Sequence, residues 1–189
     1  MFSKWLKEKL CYNELEQSFR KALDFYGEKV IGLFLSSDLT LLLNDKKARI
    51  ALGTFCPEGN ELTLNQVKKL LKRNILDCVF VHELAHFIDF QRRNKQSRYT
   101  FASSKYGSKE RIIAELFRTQ MIPFPEKRTN YRGRTCELFA RAIEEFYAIY
   151  TKNENWLYDN SFSDYYITIE VYKREIFPIV LNYIKSIKN

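Results

Sequence analysis

The chain has 189 residues, 46% of them hydrophobic and 15% aromatic, with only 6 Gly and 4 Pro. This composition excludes a disordered, collagen-like or linker-dominated chain and suits one domain, residues 1–189, with its own core. The net charge of +8 favours acidic partners, but the basic residues are dispersed, and charge alone is a weak argument for nucleic-acid binding.

In chain order, residues 1–10 alternate charged and apolar side chains and lack the continuous apolar stretch of a signal peptide. No later segment approaches the roughly 20 apolar residues of a membrane span. The expected address is therefore cytoplasmic, although an effector delivered by a dedicated secretion machine shows the same features. Trp5, Leu6, Leu10, Leu15, Phe19, Leu23 and Phe25 recur among charges over residues 3–26, which predicts an amphipathic helix stopped by Gly27. Residues 30–35, 39–43 and 48–55 are short apolar runs separated by polar breaks and read as strands. Residues 56–60 read as a turn and 61–64 as one more strand, giving three or four strands in one sheet. Helical patterns follow at 66–73, 75–92, 109–119, 135–150 and 168–188, the last interrupted at Pro178. Loops fill 93–108 and 121–134. The result is an α+β chain: residues 1–74 hold a helix and a small mixed or antiparallel sheet, and residues 75–189 form a mostly helical part.

The four cysteines, Cys11, Cys56, Cys78 and Cys136, are far apart and form no CxxC pair, so neither a disulfide framework nor a cysteine zinc knuckle is indicated. The densest basic groups are Lys68, Lys69, Lys72 and Arg73, then Arg92, Arg93, Lys95 and Arg98, without regularly spaced stacking aromatics.

Chemistry concentrates in the helix predicted over 75–92. At 100° per residue, Phe80, Leu84, Phe87 and Ile88 share one face, and Cys78, His82, His86 and Asp89 share the opposite one. Two imidazoles at i and i+4 can bind one tetrahedral zinc, with Glu83 placed to take a proton from water beside it. His82 and His86 are the only histidines, and at this composition chance placement gives HExxH in roughly one chain in a thousand. A catalytic zinc needs a third protein ligand, which must be a carboxylate or Cys78. On the helix predicted over 135–150, Phe139, Ala142, Ile143, Phe146 and Ile149 form a core face, and Glu137, Arg141 and Glu144 lie opposite. Periodicity alone reads that second face as solvated, and as a ligand source it leaves Glu137 and Glu144 open.

The segment His82-Glu83-Leu84-Ala85-His86-Phe87-Ile88-Asp89, followed 51 residues after His86 by Glu137-Leu138-Phe139-Ala140-Arg141-Ala142, resembles a group of gluzincin-like zincins. That group includes the catalytic domain of anthrax lethal factor and metallopeptidase domains of large phage polyvalent proteins. The match covers about 20 residues in two segments. It implies a zincin-like fold with the sheet packed on the HExxH helix. It also implies a zinc cofactor held by His82, His86 and Glu137, and Glu83 as general base. Tyr131, six residues before Glu137, corresponds to a tyrosine thought to steady the tetrahedral intermediate. Where the lethal factor helix has an acidic residue four after its ligand Glu, this chain has Arg141; our expectation is that Arg141 pairs with Asp89 and links the two metal helices.

The function these residues imply is a zinc metalloendopeptidase acting on a protein or peptide substrate, with a preference for acidic segments. The alternative is a basic nucleic-acid-binding or protein-binding module with a structural or vestigial zinc.

Overall fold

The computed structural model describes residues 13–44, 51–93, 100–120, 134–153, 156 and 168–188. Within these, the N-terminal elements are α1 (Asn13–Tyr26), α2 (Glu28–Ser36), β1 (Thr40–Asn44), β2 (Gly53–Cys56), β3 (Glu61–Asn65) and α3 (Val67–Lys72). Then come α4 (Leu76–Gln91), a 3-10 turn (Ala102–Ser104), α5 (Lys109–Gln120), α6 (Thr135–Tyr150), α7 (Ile169–Val171), a π turn (Tyr172–Ile176) and α8 (Phe177–Lys188). The architecture is α+β, mostly helical, with one small mixed sheet among the described residues.

One expected strand is a helix. Residues 30–35 lie in α2, which starts directly after Gly27 (φ 85°). A short apolar run does not distinguish strand from helix by itself. Here Val30 and Phe34, four apart, are the buried pair, while Leu35 is 41% exposed. Phe34 sets its ring edge-on to Phe80 and Phe87 of α4, at 6.2 Å from each. Packing against two aromatic rings on one helix selects the 3.6-residue period over the two-residue one.

The sheet has the order β1-β3-β2. β2 and β3 form an antiparallel hairpin in which Gly53 pairs with Leu64 and Cys56 with Glu61. β1 lies parallel to β3, Thr40 opposite Glu61 and Asn44 opposite Asn65. Leu62 and Leu64 are fully buried on one face, as alternation requires of a strand covered on one side. Phe55 of β2 meets Phe87 and Phe90 of α4 at 5.9 and 5.7 Å, so the sheet is seated on the HExxH helix.

α4 is the central element. It touches α1, α3, α6, β2, β3 and the 3-10 turn, and every side chain from Leu76 to Asp89 is buried. The two-faced pattern of its sequence therefore does not separate core from solvent. The apolar face meets Phe19, Phe34 and Phe55, and the polar face meets polar side chains of α6 (see below). Its C-terminal end is tied down by Arg92, whose Nε donates to the buried Glu110 of α5 at 2.7 Å. Tyr183 of α8 donates to the same oxygen at 3.1 Å. In the last helical stretch, Pro178 is the second residue of α8, and the π turn lies immediately before it. A proline cannot donate to the carbonyl four residues back; the wider turn, closed by the Phe177 amide on the Tyr172 carbonyl, lets the chain continue helically past it.

Candidate metal centre

Helices α4 and α6 pack against each other, and their facing polar side chains meet at a nearly dry point. The Nε2 atoms of His82 and His86 are 3.2 Å apart. Glu137 Oε1 is 3.7 Å from His82 Nε2, and Glu137 Oε2 is 3.5 Å from His86 Nε2. Among the described residues, these three form the group of His, Cys, Asp or Glu side chains whose donor atoms all lie within 4.8 Å of one another. A tetrahedral ion bound about 2.05 Å from each donor would hold its donors roughly 3.3 Å apart. The Nε2–Nε2 separation and the approach of Glu137 Oε2 to His86 Nε2 lie within a few tenths of an ångström of that edge, and Oε1 stands 3.7 Å from His82 Nε2.

The group is backed from both sides. Glu144, two helical turns after Glu137, accepts a hydrogen bond from His82 Nδ1 at 3.0 Å. A carboxylate partner places the proton on Nδ1 and leaves the Nε2 lone pair facing His86 and Glu137. Arg141, one turn after Glu137, donates to Glu137 Oε1 at 2.9 Å. His86 Nδ1 is buried and has no hydrogen-bond partner among the described residues. Two imidazole nitrogens and a carboxylate facing one point form a donor set suited to a divalent ion of borderline softness.

Charge is concentrated here. Burial works to raise the Glu137 carboxyl, but His82, His86 and Arg141 outweigh it and hold it well below the usual carboxylate range. For His82 the balance is reversed in sign: burial works to lower it, and Glu144 and Glu137 carry it well above an ordinary imidazole. Glu83, next to His82 in the chain, is pushed up to about 8 by burial, with Glu137 and Glu144 adding and His82 opposing. Its carboxylate rests against the backbone of β2. A Cβ built on Gly53 would stand 2.6 Å from Glu83 Oε1 and 2.7 Å from its Cγ.

The expected pairing of Arg141 with Asp89 is replaced by two other contacts. The fully buried Asp89 carboxylate accepts from the Ser103 amide at 2.7 Å and from the Ser103 hydroxyl at 2.5 Å. Arg141 grips Glu137 on its own helix. The reason is reach: the 3-10 turn delivers a backbone and a side-chain donor to both Asp89 oxygens, and the i,i+4 spacing delivers Arg141 to Glu137. Asp89 thus anchors α4 to the loop after it.

Cys78 stands outside the three-residue group; it is buried, and its sulfur accepts from Asn153 Nδ2 at 3.4 Å. Glu144, an alternative third ligand by sequence, lies at the other nitrogen of the His82 ring. Tyr131, Lys95 and Arg98 fall outside the described residues. Arg92 is paired with Glu110, and the Arg93 guanidinium lies 3.4 Å over the Phe90 ring, so neither contributes an isolated surface charge. Gly53 and Ser103 were not legible as site residues, although a glycine inside a strand pattern is a known signal of close approach by another group.

Compared with known protein families, curated proteins and solved structures, the chain finds no match in any of the three.

Proposed function

We propose that this chain is a zinc-dependent metallopeptidase of the zincin type, hydrolysing peptide bonds with a His82, His86 and Glu137 metal site and Glu83 as general base. The observation that carries this reading is the cluster of His82, His86 and Glu137, one ligand atom of each within 4.8 Å of the others. The two Nε2 atoms are 3.2 Å apart and Glu137 Oε2 is 3.5 Å from His86 Nε2, on an HExxH helix whose intervening glutamate is buried beside it. Three protein ligands leave a fourth position for water or substrate, the pattern of catalytic rather than structural zinc. Zinc held by His82, His86 and Glu137 would supply Lewis acidity, polarising a carbonyl and lowering the pKa of water so that it can be deprotonated to a nucleophile.

The rest of the chemistry falls to the chain. Glu83, seated on Gly53 and shielded from bulk water, accepts the proton of the attacking water and delivers it to the leaving amine. Glu144 holds His82 in the tautomer that ligation needs. Tyr131 is assigned the oxyanion by resemblance to lethal factor. β2 is a sheet edge among the described residues and touches Glu83 through Gly53, so an extended substrate pairing with β2 would run past the general base. The chain's positive charge favours acidic substrate segments by steering.

The test is metal content measured together with cleavage. Elemental analysis of wild type, His82→Ala, Glu137→Ala and Glu83→Gln should give about one zinc per chain in the first and last and little in the other two. Wild type should cleave members of a diverse peptide mixture read by mass spectrometry, and Glu83→Gln should not. Zinc bound without cleavage in wild type would shift the assignment to a binding module with a structural ion. Absence of zinc after reconstitution would remove the metal reading.

A further inference from the structure

Helix α6 offers Glu137 to the donor group with one of its oxygens already engaged. Oε1 accepts from the Arg141 guanidinium at 2.9 Å, and Oε2 is the oxygen nearer His86, at 3.5 Å. We propose that Arg141 sets the denticity of Glu137: it reserves Oε1, so that the carboxylate ligates through Oε2 alone and the fourth coordination position stays open for water. This inference rests on the metal reading above and adds a positioning residue to it.

The argument is electrostatic and geometric. Glutamate can bind a divalent ion through one oxygen or chelate it through both, and chelation would fill the position a hydrolytic site must keep free. An arginine cannot shed its charge, and its charge-assisted hydrogen bond to a carboxylate is about twice as strong as a neutral one. If Oε1 also bound the ion, the guanidinium and the dication would lie on one oxygen, a few ångströms apart, in a site where little water screens their repulsion. Ligation through Oε2 separates the two cations by the width of the carboxylate. The i,i+4 spacing makes the clamp intrinsic to α6, so Glu137 is oriented before any ion arrives. Glu144, one turn further along, holds His82 at 3.0 Å; a single helix face therefore carries a ligand, the group that limits that ligand, and the group that orients another.

The experiment uses the full chain loaded with Co2+, whose visible absorption is intense in four-coordinate sites and several-fold weaker in five-coordinate ones. Wild type should give the intense four-coordinate spectrum. Arg141→Met should keep Co2+ but lose several-fold in band intensity as Glu137 closes to chelation, and Arg141→Lys should restore most of it. An unchanged spectrum in Arg141→Met overturns the proposal. Should Arg141→Met fail to fold, wild type alone decides through infrared difference spectra of the Zn2+-loaded minus metal-free protein, with the glutamate carboxylate bands assigned by their shift on 13C labelling of glutamate. A wide separation of the two carboxylate stretches supports one-oxygen ligation, and a narrow one overturns it. Failure of wild type to bind Co2+ or Zn2+ at all would bring down the metal reading itself, a result distinct from a bound ion with a chelating Glu137.

Discussion

His82 and His86 share a helix but differ in their surroundings, since Glu144 holds one ring and nothing among the described residues bonds Nδ1 of the other. Glu144→Ala should therefore weaken zinc binding about 10- to 100-fold, measured by competition with a chelating dye. Glu144→Gln should weaken it less, because an amide oxygen still accepts from Nδ1. Asp89 gives a different prediction, in the metal-free protein. Burial pushes its carboxyl up to about 7 against the opposing Ser103 hydrogen bonds, and an unfolded aspartate titrates near 3.9. Between about pH 4 and 7 the folded chain holds a proton that the unfolded chain has released, so this group's contribution to stability falls as pH rises through that window and is fully lost above it. Asp89→Asn should flatten the dependence and melt higher than wild type at pH 8, as read from thermal unfolding at a series of pH values. Equal slopes for the two proteins would show that Asp89 is ionised throughout.

At the scale of elements, the contact of β2 with α4 matters most. Gly53 is not at positive φ, so alanine is allowed by the backbone, and the three atoms nearest the added methyl all belong to the Glu83 side chain. Gly53→Ala should displace the Glu83 carboxylate and, under the proposed peptidase reading, lower turnover about 100-fold, the scale of a misplacement near 1 Å. Zinc content should stay at the wild-type level because Glu83 lies outside the donor group of His82, His86 and Glu137. Loss of zinc together with activity would mean that the strand also positions the histidines. Helix α6 illustrates how much local pattern conveys: its bounds, Thr135–Tyr150, are those the periodicity predicts. Its polar face is largely buried, however, with Glu137 and Glu144 nearly inaccessible, because α4 brings His82 and His86 against them in place of water.

For the whole molecule, one continuous cluster of buried side chains joins α1, α2, the sheet, α4, α6 and the C-terminal helix, so an ion bound at the proposed site between α4 and α6 would be coupled to global stability. Zinc at about 100 times its dissociation constant should stabilise the fold by roughly 2.7 kcal/mol and raise the melting temperature roughly 5–10 °C. His82→Ala should show no such rise in a thermal melt with and without zinc. The sequence by itself determined what is local: an HExxH pair at i,i+4, the helices that carry it and Glu137, and an α+β order of elements, all of which depend on spacing along one chain segment. Three matters were decided only by tertiary structure. Residues 30–35 are helical because Phe34 finds Phe80 and Phe87 across the core. Arg141 serves Glu137 because the turn at Ser103 has already satisfied Asp89. Glu83 is held by a glycine 30 residues before it. Each is a choice between partners of similar chemistry that lie far apart in the chain, and only the packing of the folded elements brings one of them within bonding distance.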